Sequence, residues 1–306
     1  MFNEKRKILS DLIKRKEFFL APGVFDMLSA RIADTFDFKA IYMTGYGSMA
    51  SYLGVADAGL ATYTDMLNRV TQIASGTSKP LIADADTGYG GLINIDQTVK
   101  GYERAGACAL HIEDQSNPKK CGHTPGKKII ASEEMELRIK VAVDAKTDTN
   151  FLIIARTDSR SSEGLDNACI RAEKYYKAGA DIIFIEAPAN FEEVSIIAKR
   201  FSNLPIMINM AEAGITPIVS LDKLKDMGFA FAIYPGTAFS AAASAIKDVY
   251  SYLFSEGSSS NLKSNLLTGL DMHKLMGFEE VWKFEKKWDI DDIKEDDPTL
   301  TIFKNN

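Results

Sequence analysis

The sequence predicts an α/β protein, a (β/α)8 TIM barrel with extra C-terminal helices, and three observations carry that prediction. Short apolar runs recur along the chain, each brief enough for a buried parallel strand. Between most neighbouring runs lies a stretch with apolar residues at helical spacing, so strand and helix alternate as a parallel sheet demands. The runs number eight, the count that closes such a sheet on itself, and nearly all end in polar or charged residues, as the strands of a barrel enzyme do at its mouth. An open doubly wound sheet is the competing architecture. It calls for a G-x-G-x-x-G opening the helix after the first strand, and no such fingerprint stands there.

Residues 3–15 set Ile8, Leu9, Leu12 and Ile13 at the spacing of an opening amphipathic helix. The first strand is read at 18–21, ended by Pro22 and Gly23, and the others at 40–43, 81–83, 109–112, 151–155, 181–185, 205–208 and 230–234. Helices are read at 26–35, 63–75, 95–105, 132–146, 166–178, 191–200 and 220–227. Three of them close on a glycine just before the next strand, Gly106, Gly179 and Gly228, a frequent way for a helix to stop. Beyond the eighth strand, 237–254 is a helix rich in small residues and 255–260 a Ser/Gly hinge. Two more helical patterns follow at 266–276 and 279–288, with Leu267, Leu270, Val281, Trp282 and Phe284 to bury, and then an acidic tail at 289–297. The domains are read as a catalytic barrel at 1–256 and a helical extension at 257–306 that packs on a partner subunit.

At 306 residues, 46% apolar and 25% charged, the chain has the make-up of a globular protein with one large core. A formal net charge of −6 argues against nucleic acid as a partner, which would require clustered excess base. No apolar run approaches the roughly 18 residues of a membrane span, and the charged N-terminus is unlike a signal peptide. Cys108, Cys121 and Cys169 form no disulfide framework, which suits a reducing, cytoplasmic setting and leaves Cys121 free for chemistry.

The strand ends carry the candidate chemistry. In order they offer Thr44, Gly45 and Tyr46; Asp84 and Asp86; Glu113; Arg156, Thr157 and Asp158; Glu186; Asn209; and Tyr234 with Pro235. Asp84 and Asp86 stand two apart, so a continuing strand points both to one face, and with Glu113 they offer hard oxygens to Mg2+, or to Mn2+ in its place. The bland alternative for the aspartates is a pair capping a turn. Arg156 can fork onto a substrate carboxylate, unless a structural ion pair claims it. The fourth run leads into a polar loop with Lys119, Lys120, Cys121, Gly122 and His123, where an electropositive, exposed setting is expected to lower the thiol pKa. This loop, 116–128, has the Pro and Gly content of a gate that closes over a ligand. His111, inside a strand, reads as a core histidine.

These residues resemble the isocitrate lyase/phosphoenolpyruvate mutase superfamily over roughly residues 22–254. The phrases are Ala-Pro-Gly-Val-Phe-Asp at 21–26, Tyr-Met-Thr-Gly-Tyr-Gly at 42–47, Asp-Ala-Asp-Thr-Gly-Tyr-Gly at 84–90, His-Ile-Glu-Asp-Gln at 111–115, Lys-Lys-Cys-Gly-His at 119–123, Ala-Arg-Thr-Asp at 155–158 and Glu-Ala-Pro-Ala at 186–189. The Cys-Gly-His loop resembles the carbon–carbon lyase branch, typified by dimethylmalate and methylisocitrate lyases, and not the phosphonate mutases and hydrolases. The resemblance implies a homotetramer built from dimers that exchange a helix. It also implies a Mg2+ site at Asp84, Asp86 and Glu113, and Cys121 as acid/base group with Gly122 and His123 beside it in the gate. Thr44, Gly45, Tyr46 and Asp57 then belong to the carboxylate-binding region, with Lys119, Arg156, Glu186 and Asn209 as further site residues.

The reaction implied is retro-Claisen or retro-aldol cleavage of a 2-hydroxy acid to a 2-oxo acid and a carboxylate. One departure narrows the substrate. Lyases for the tricarboxylate methylisocitrate carry an arginine on the helix after the eighth strand, where this chain has Ser240, and another in the C-terminal helices, whereas no arginine follows Arg200 here. A third carboxylate would lack its cation, so a substituted malate is the expected small-molecule carboxylate substrate. Methylisocitrate, yielding pyruvate and succinate, is the alternative, with Lys263 or Lys274 standing in for the arginines. Oxaloacetate hydrolysis and phosphonate chemistry rank lower, and a catalytically dead binding module would have had to lose site residues that are present.

Overall fold

A computed structural model of the chain describes residues 2–212, 214–262 and 266–288. In order the elements are α1 (Phe2–Lys14), β1 (Phe19–Val24), α2 (Met27–Asp34), β2 (Ile41–Met43), α3 (Gly45–Leu53), α4 (Tyr63–Gly76), β3 (Leu81–Asp84), α5 (Leu92–Ala105), β4 (Ala109–Glu113), α6 (Ser132–Ala145), β5 (Leu152–Thr157), α7 (Arg160–Glu163), α8 (Leu165–Lys177), β6 (Ile182–Ile185), α9 (Phe191–Arg200), β7 (Ile206–Asn209), α10 (Leu221–Asp226), β8 (Phe231–Tyr234), α11 (Thr237–Glu256), α12 (Gly269–Met276) and α13 (Phe278–Lys287). The eight strands are parallel and close in sequence order, the last returning to the first through Phe19 opposite Phe231 and Pro22 opposite Tyr234. This is the (β/α)8 barrel that the alternating pattern predicts.

Two local departures have simple causes. β1 does not stop at Ala21 but runs through Pro22 and Gly23, because a proline near a strand end forfeits one donor without preventing pairing; Gly23 and Val24 still lie opposite Tyr42 and Met43. Helix α3 was not read from the sequence, since Gly45 and Gly47 in its first turn hide it. Thr44 nevertheless caps it, accepting from the Gly47 N–H at 3.4 Å, and Gly54 in the left-handed region, φ 65°, ends it.

Two apolar layers follow from side chains alternating across each strand. One lies between strands and surrounding helices, where Met66, Val70, Ile95, Val99, Met135, Ile139 and Tyr175 pack. The other fills the barrel with Tyr42, Ile82, Ile154, Phe184, Met207 and Phe231, and α1 adds Leu9, Leu12 and Ile13 to it. The neighbouring cations of α1 are themselves buried. Lys5 Nζ donates to the carbonyls of Ala74 (2.9 Å) and Thr77 (2.5 Å) at the end of α4. Arg6 donates to those of Glu103 and Ala107 around the end of α5. Both satisfy helix-terminal carbonyls that no further turn can reach, and both sit at the favourable end of a helix dipole.

Contacts divide the chain into two compact units, Met1–Ala241 and Ala242–Asn306. In the second, α12 is capped by Thr268 and closed by Gly277, and Phe278 packs edge-on against His273 at 4.5 Å. Among the described residues no helix is long and apolar enough to cross a membrane. The acidic tail at 289–297 and Lys263 lie outside the described residues.

Candidate active site

The site is the continuation of the barrel's inward-facing register. Tyr42 is followed by Thr44, Ile82 by Asp84, Ala109 by His111 and Glu113, Ile154 by Arg156, Phe184 by Glu186, and Met207 by Asn209. The lower member of most pairs fills the apolar core; two residues on, the same face meets the mouth and becomes polar. All of these polar residues are buried, Glu113 and His111 completely. A cavity of about 370 Å3 opens above them, lined by Thr44, Asp57, Asp84, Arg156, Glu186 and Asn209 from below and by Cys121, Gly122 and His123 from the loop.

Of the residues selected from sequence, Thr44, Tyr46, Asp57, Asp84, Cys121, Gly122, His123, Arg156, Glu186 and Asn209 line this cavity. Gly45, Asp86, Glu113 and Lys119 do not line it but touch those that do. Gly45 abuts Asp84, since a Cβ there would come within 2.5 Å of Asp84 Oδ2. The Asp86 N–H donates to Asp84 Oδ1 at 2.9 Å, and Glu113 Oε2 lies 3.3 Å from Arg156 Nε. Lys119 Nζ sits 2.5 Å from both Asp57 Oδ1 and Asp86 Oδ1. His111 is the core histidine expected: burial lowers it to about 4, and its Nε2 meets the Tyr42 hydroxyl at 2.8 Å.

Two expectations fail here for the same reason, burial. Lys120 and Lys128 of the 116–128 loop are exposed, but the stretch beside Cys121 is not an exposed electropositive strip: Lys119 is 3% exposed, and Asp86, Glu113, Asp84 and Asp57 hold its charge against desolvation. Cys121 is mostly buried, so its thiol is pushed up and not down, burial outweighing the His123 backbone N–H and Arg156. Arg156 is also less free than a substrate clamp would be. Its Nε and Nη2 fork onto Asp158 at 2.8 and 3.0 Å, Nη2 lies 3.3 Å from Glu186 Oε2, and only Nη1 is outside these bonds.

The electrostatics of this floor call for a cation. The carboxylates Asp57, Asp84, Asp86, Glu113, Asp158 and Glu186 outnumber the cations Lys119, Lys127 and Arg156. Burial, with Asp84 and Asp57 nearby, pushes Asp86 up to about 6 against the pull of Lys119. Burial drives Glu113 well above the carboxylate range, Arg156 and Lys119 offsetting it only in part. Burial also opposes the charge of Glu186, yet Arg156 and His123 prevail and hold it well below that range. Both Glu113 carboxylate oxygens are buried without a hydrogen-bond donor, which marks a place for a metal or its water. Among the described residues no three His, Cys or carboxylate groups are gathered tightly enough to hold an ion by themselves, so any cation here would keep part of its water shell.

Several lining residues escaped the sequence reading. Tyr42 was legible in principle, standing two before Thr44 on one face. Phe239, edge-on to Tyr46 at 5.9 Å, and Glu212, which accepts a hydrogen bond from Thr237, had no local signal. Asp158 was seen as a strand end but not as the partner that fixes Arg156.

A closed parallel barrel with buried carboxylates under a thiol-bearing loop at the C-terminal ends of its strands defines the class of (β/α)8 barrel enzymes. The phosphoenolpyruvate phosphomutase family profile matches residues 9–254, and the chain belongs to the PEP mutase/isocitrate lyase superfamily. It is similar to 2,3-dimethylmalate lyase of Eubacterium barkeri, 39% identical over 92% of this chain and 96% of that one. It is also similar to 2-methylisocitrate lyase of Salmonella typhimurium, 40% identical over 87% and 90%. These relatives are carbon–carbon lyases. Among solved structures, 2,3-dimethylmalate lyase in a trigonal crystal form has a TM-score of 0.87 at 36% identity, covering 92% of this chain and 95% of its own. Oxaloacetate acetylhydrolase with 3,3-difluorooxalacetate has a TM-score of 0.88 at 33% identity, covering 93% and 97%. Phosphonopyruvate hydrolase, solved with oxalate and Mg2+, has a TM-score of 0.83 at 27% identity over 93% and 99%.

Proposed function

We propose that this chain is a Mg2+-dependent carbon–carbon lyase that cleaves a 2-hydroxy dicarboxylate, a substituted malate of the 2,3-dimethylmalate kind, to a 2-oxo acid and a carboxylate. The observation that carries the reading is the Cys121 thiol held over a floor rich in carboxylates, in a pocket whose remaining walls offer no lysine or arginine among the described residues. Arg156 is the one arginine or lysine lining the cavity among the described residues, and carboxylates already surround it. At the other wall stand Ser240, Phe239 and Glu212. A third substrate carboxylate placed there would face Glu212 and pay for its desolvation without a partner.

The chain's own groups divide the work. The first N–H groups of α3 at Gly45 and Tyr46, with the Thr44 hydroxyl, bind a substrate carboxylate at a helix N-terminus. Asn209 and His123, 3.2 Å apart, contact the substrate from the far side, and Glu186 accepts from Asn209 and holds Arg156. Asp57 and Lys119 keep the loop down. Mg2+ held through Asp84, Asp86 and Glu113, with Mn2+ as a substitute, would supply Lewis-acid polarisation of the substrate's 2-oxygen. His123, which lines the cavity with its Nε2 3.3 Å from Glu186, takes the 2-hydroxyl proton as the carbon–carbon bond breaks, the hydroxyl electrons forming the new carbonyl and the bond's electron pair passing to the departing aci-carboxylate. Cys121 then gives its Sγ proton to that carbon and is left as thiolate. The raised thiol pKa suits a donor, since the group must start protonated.

Three unpaired cysteines agree with a cytoplasmic enzyme. A homotetramer, with the C-terminal helices packed on a neighbouring subunit, belongs to the same proposal: α11 buries none of its residues in the single chain. The test is to incubate the enzyme and Mg2+ with substituted malates, 2-methylisocitrate, oxaloacetate and phosphonopyruvate, and to quantify the acid products. Turnover of 2-methylisocitrate above every malate would transfer the reading to the tricarboxylate, and release of oxalate from oxaloacetate alone would replace the lyase by a hydrolase.

A further inference from the structure

The 116–128 loop is tied at its base by a bridge between Gln115 and Ile129 and by the Ser116 N–H to the Lys128 carbonyl at 2.8 Å. Between these ends Asn117 meets the Thr87 hydroxyl at 3.3 Å, the Gln115 side chain holds the Lys120 backbone, and His123 meets Asn209 at 3.2 Å. The Cys121 N–H donates to the Asp57 carbonyl at 3.1 Å, Lys119 reaches Asp57 and Asp86, and His123 reaches Glu186 and the Ile215 N–H. One more contact has no role in the reaction above. Lys127 Nζ donates to the Gly122 carbonyl, next to Cys121, and lies 3.2 Å from Asp158 Oδ1. Its side chain is 4% exposed and that of Asp158 0%, so this ammonium was taken out of water for a purpose.

We propose that Lys127 is a positioning residue that sets the Cys121 thiol against the barrel floor by joining the loop tip to the Asp158–Arg156 pair. The ammonium touches the same Asp158 oxygen that accepts from Arg156 Nη2. Asp158 is therefore read from two sides: it fixes the guanidinium on the floor and, through Lys127, the peptide that carries the thiol. The contact spans only five residues within the loop, from Gly122 to Lys127, so it also curls the tip upon itself and limits where Cys121 can go. On the other side the Asp57 carbonyl holds Cys121 by its N–H, and the thiol is pinned between an acceptor before it and a donor after it. Without Lys127 the tie from the Gly122 carbonyl to Asp158 is gone and the tip is left to His123 and to the Thr124 bonds on the Cys121 carbonyl, while Asp158 keeps its bidentate partner and the barrel keeps every ladder bond.

This rests on the proposed role of Cys121, but its test does not require turnover. The enzyme contains two reference thiols, Cys108 and Cys169, both buried in the barrel unit. Lys127→Met, Lys127→Gln and Lys127→Arg are compared with wild type by mass-spectrometric rates of iodoacetamide labelling at each cysteine, at one pH. The expected result is labelling of Cys121 about tenfold faster in Lys127→Met and Lys127→Gln, with Cys108 and Cys169 unchanged and Lys127→Arg nearer wild type. In the cleavage assay kcat falls by as much as about 100-fold, the cost of misplacing a reacting group by about 1 Å, with KM changing less. Wild-type labelling of Cys121 in the neutral variants overturns the proposal, as does an equal acceleration at all three thiols, which would make Lys127 a residue of global stability. If Lys127→Met does not fold, Lys127→Gln decides. If the wild type cleaves no malate, the labelling result stands unaltered and only the choice of reaction falls.

Discussion

Replacing Gly122 by alanine tests the closed loop with a single methyl group. An added Cβ would lie 2.3 Å from Arg156 Nη2, 2.6 Å from Glu186 Cγ and 3.0 Å from Asp158 Oδ1. Ordinary contact begins near 3.5 Å, so the loop tip must retreat by about 1 Å or push aside the guanidinium that Asp158 holds by two bonds. Gly122 is not among the residues with positive φ, so alanine strains nothing in the backbone and the whole effect is this collision. A retreat of about 1 Å at the proton donor costs on the order of 100-fold in kcat, about 2.7 kcal/mol of barrier. Steady-state kcat and KM with the best malate, the thermal midpoint and Cys121 labelling are to be measured together. The expected pattern is low kcat, an unchanged midpoint and a faster-labelled Cys121. Wild-type kcat in Gly122→Ala would mean that turnover does not pass through this packed arrangement, and the placement of Cys121 over the floor would have to be abandoned.

Cys121→Ser keeps the shape but makes a far weaker acid, so kcat should fall by about 10²–10⁴-fold while Mg2+ affinity by calorimetry hardly changes; wild-type turnover would remove the thiol from the reaction. Because burial raises the Cys121 pKa, its carbamidomethylation in the wild type should accelerate with pH beyond the ordinary thiol range, and a rate already flat at neutral pH would contradict the raised value. Cys108 and Cys169, both pushed up to about 11, should stay unlabelled until the protein unfolds. Glu113→Gln replaces a buried carboxyl whose oxygens lack donors and whose ionisation burial opposes, so the metal-free protein should melt at the same or a higher temperature while Mg2+ no longer stabilises it; a lower midpoint with Mg2+ stabilisation intact would count against the metal site. Light scattering should give the mass of four chains, and a monomer would remove the proposed packing of α11 to α13.

Strand positions were legible because each of the eight runs is apolar on both faces, and the crossover helices because their periodicity is long enough to rise above noise. The site was legible for a related reason: a core face that turns polar two residues further on, as from Ile82 to Asp84 or Phe184 to Glu186, marks the barrel mouth in the sequence itself. What failed was anything decided by neighbours distant in sequence. Lys119 looks solvated when read beside Lys120, but Asp57 and Asp86 bury it, and neither is adjacent to it along the chain. The thiol's environment followed the same error. Arg156 has its decisive partner two residues away, yet the choice between holding Asp158 and holding substrate depends on where Glu113, Glu186 and Lys127 come to rest. Helix α3 was lost because its first turn is suited to approaching Asp84, and the glycines that permit this depress helix propensity.

The two cations of α1 have a bearing on how this enzyme can be re-engineered. Lys5 and Arg6 finish α4 and α5 from outside those helices, and Leu9, Leu12 and Ile13 seal the barrel's underside. Editing the two ends of the barrel therefore carries unequal risk. A loop transplanted from a relative onto the mouth meets a scaffold whose foot is already locked, so it can alter substrate preference with the rest intact. Trimming the first fourteen residues, a routine step when a shorter expression product is wanted, would pull out the stopper, fray two helices at once and leave an oily floor open to water.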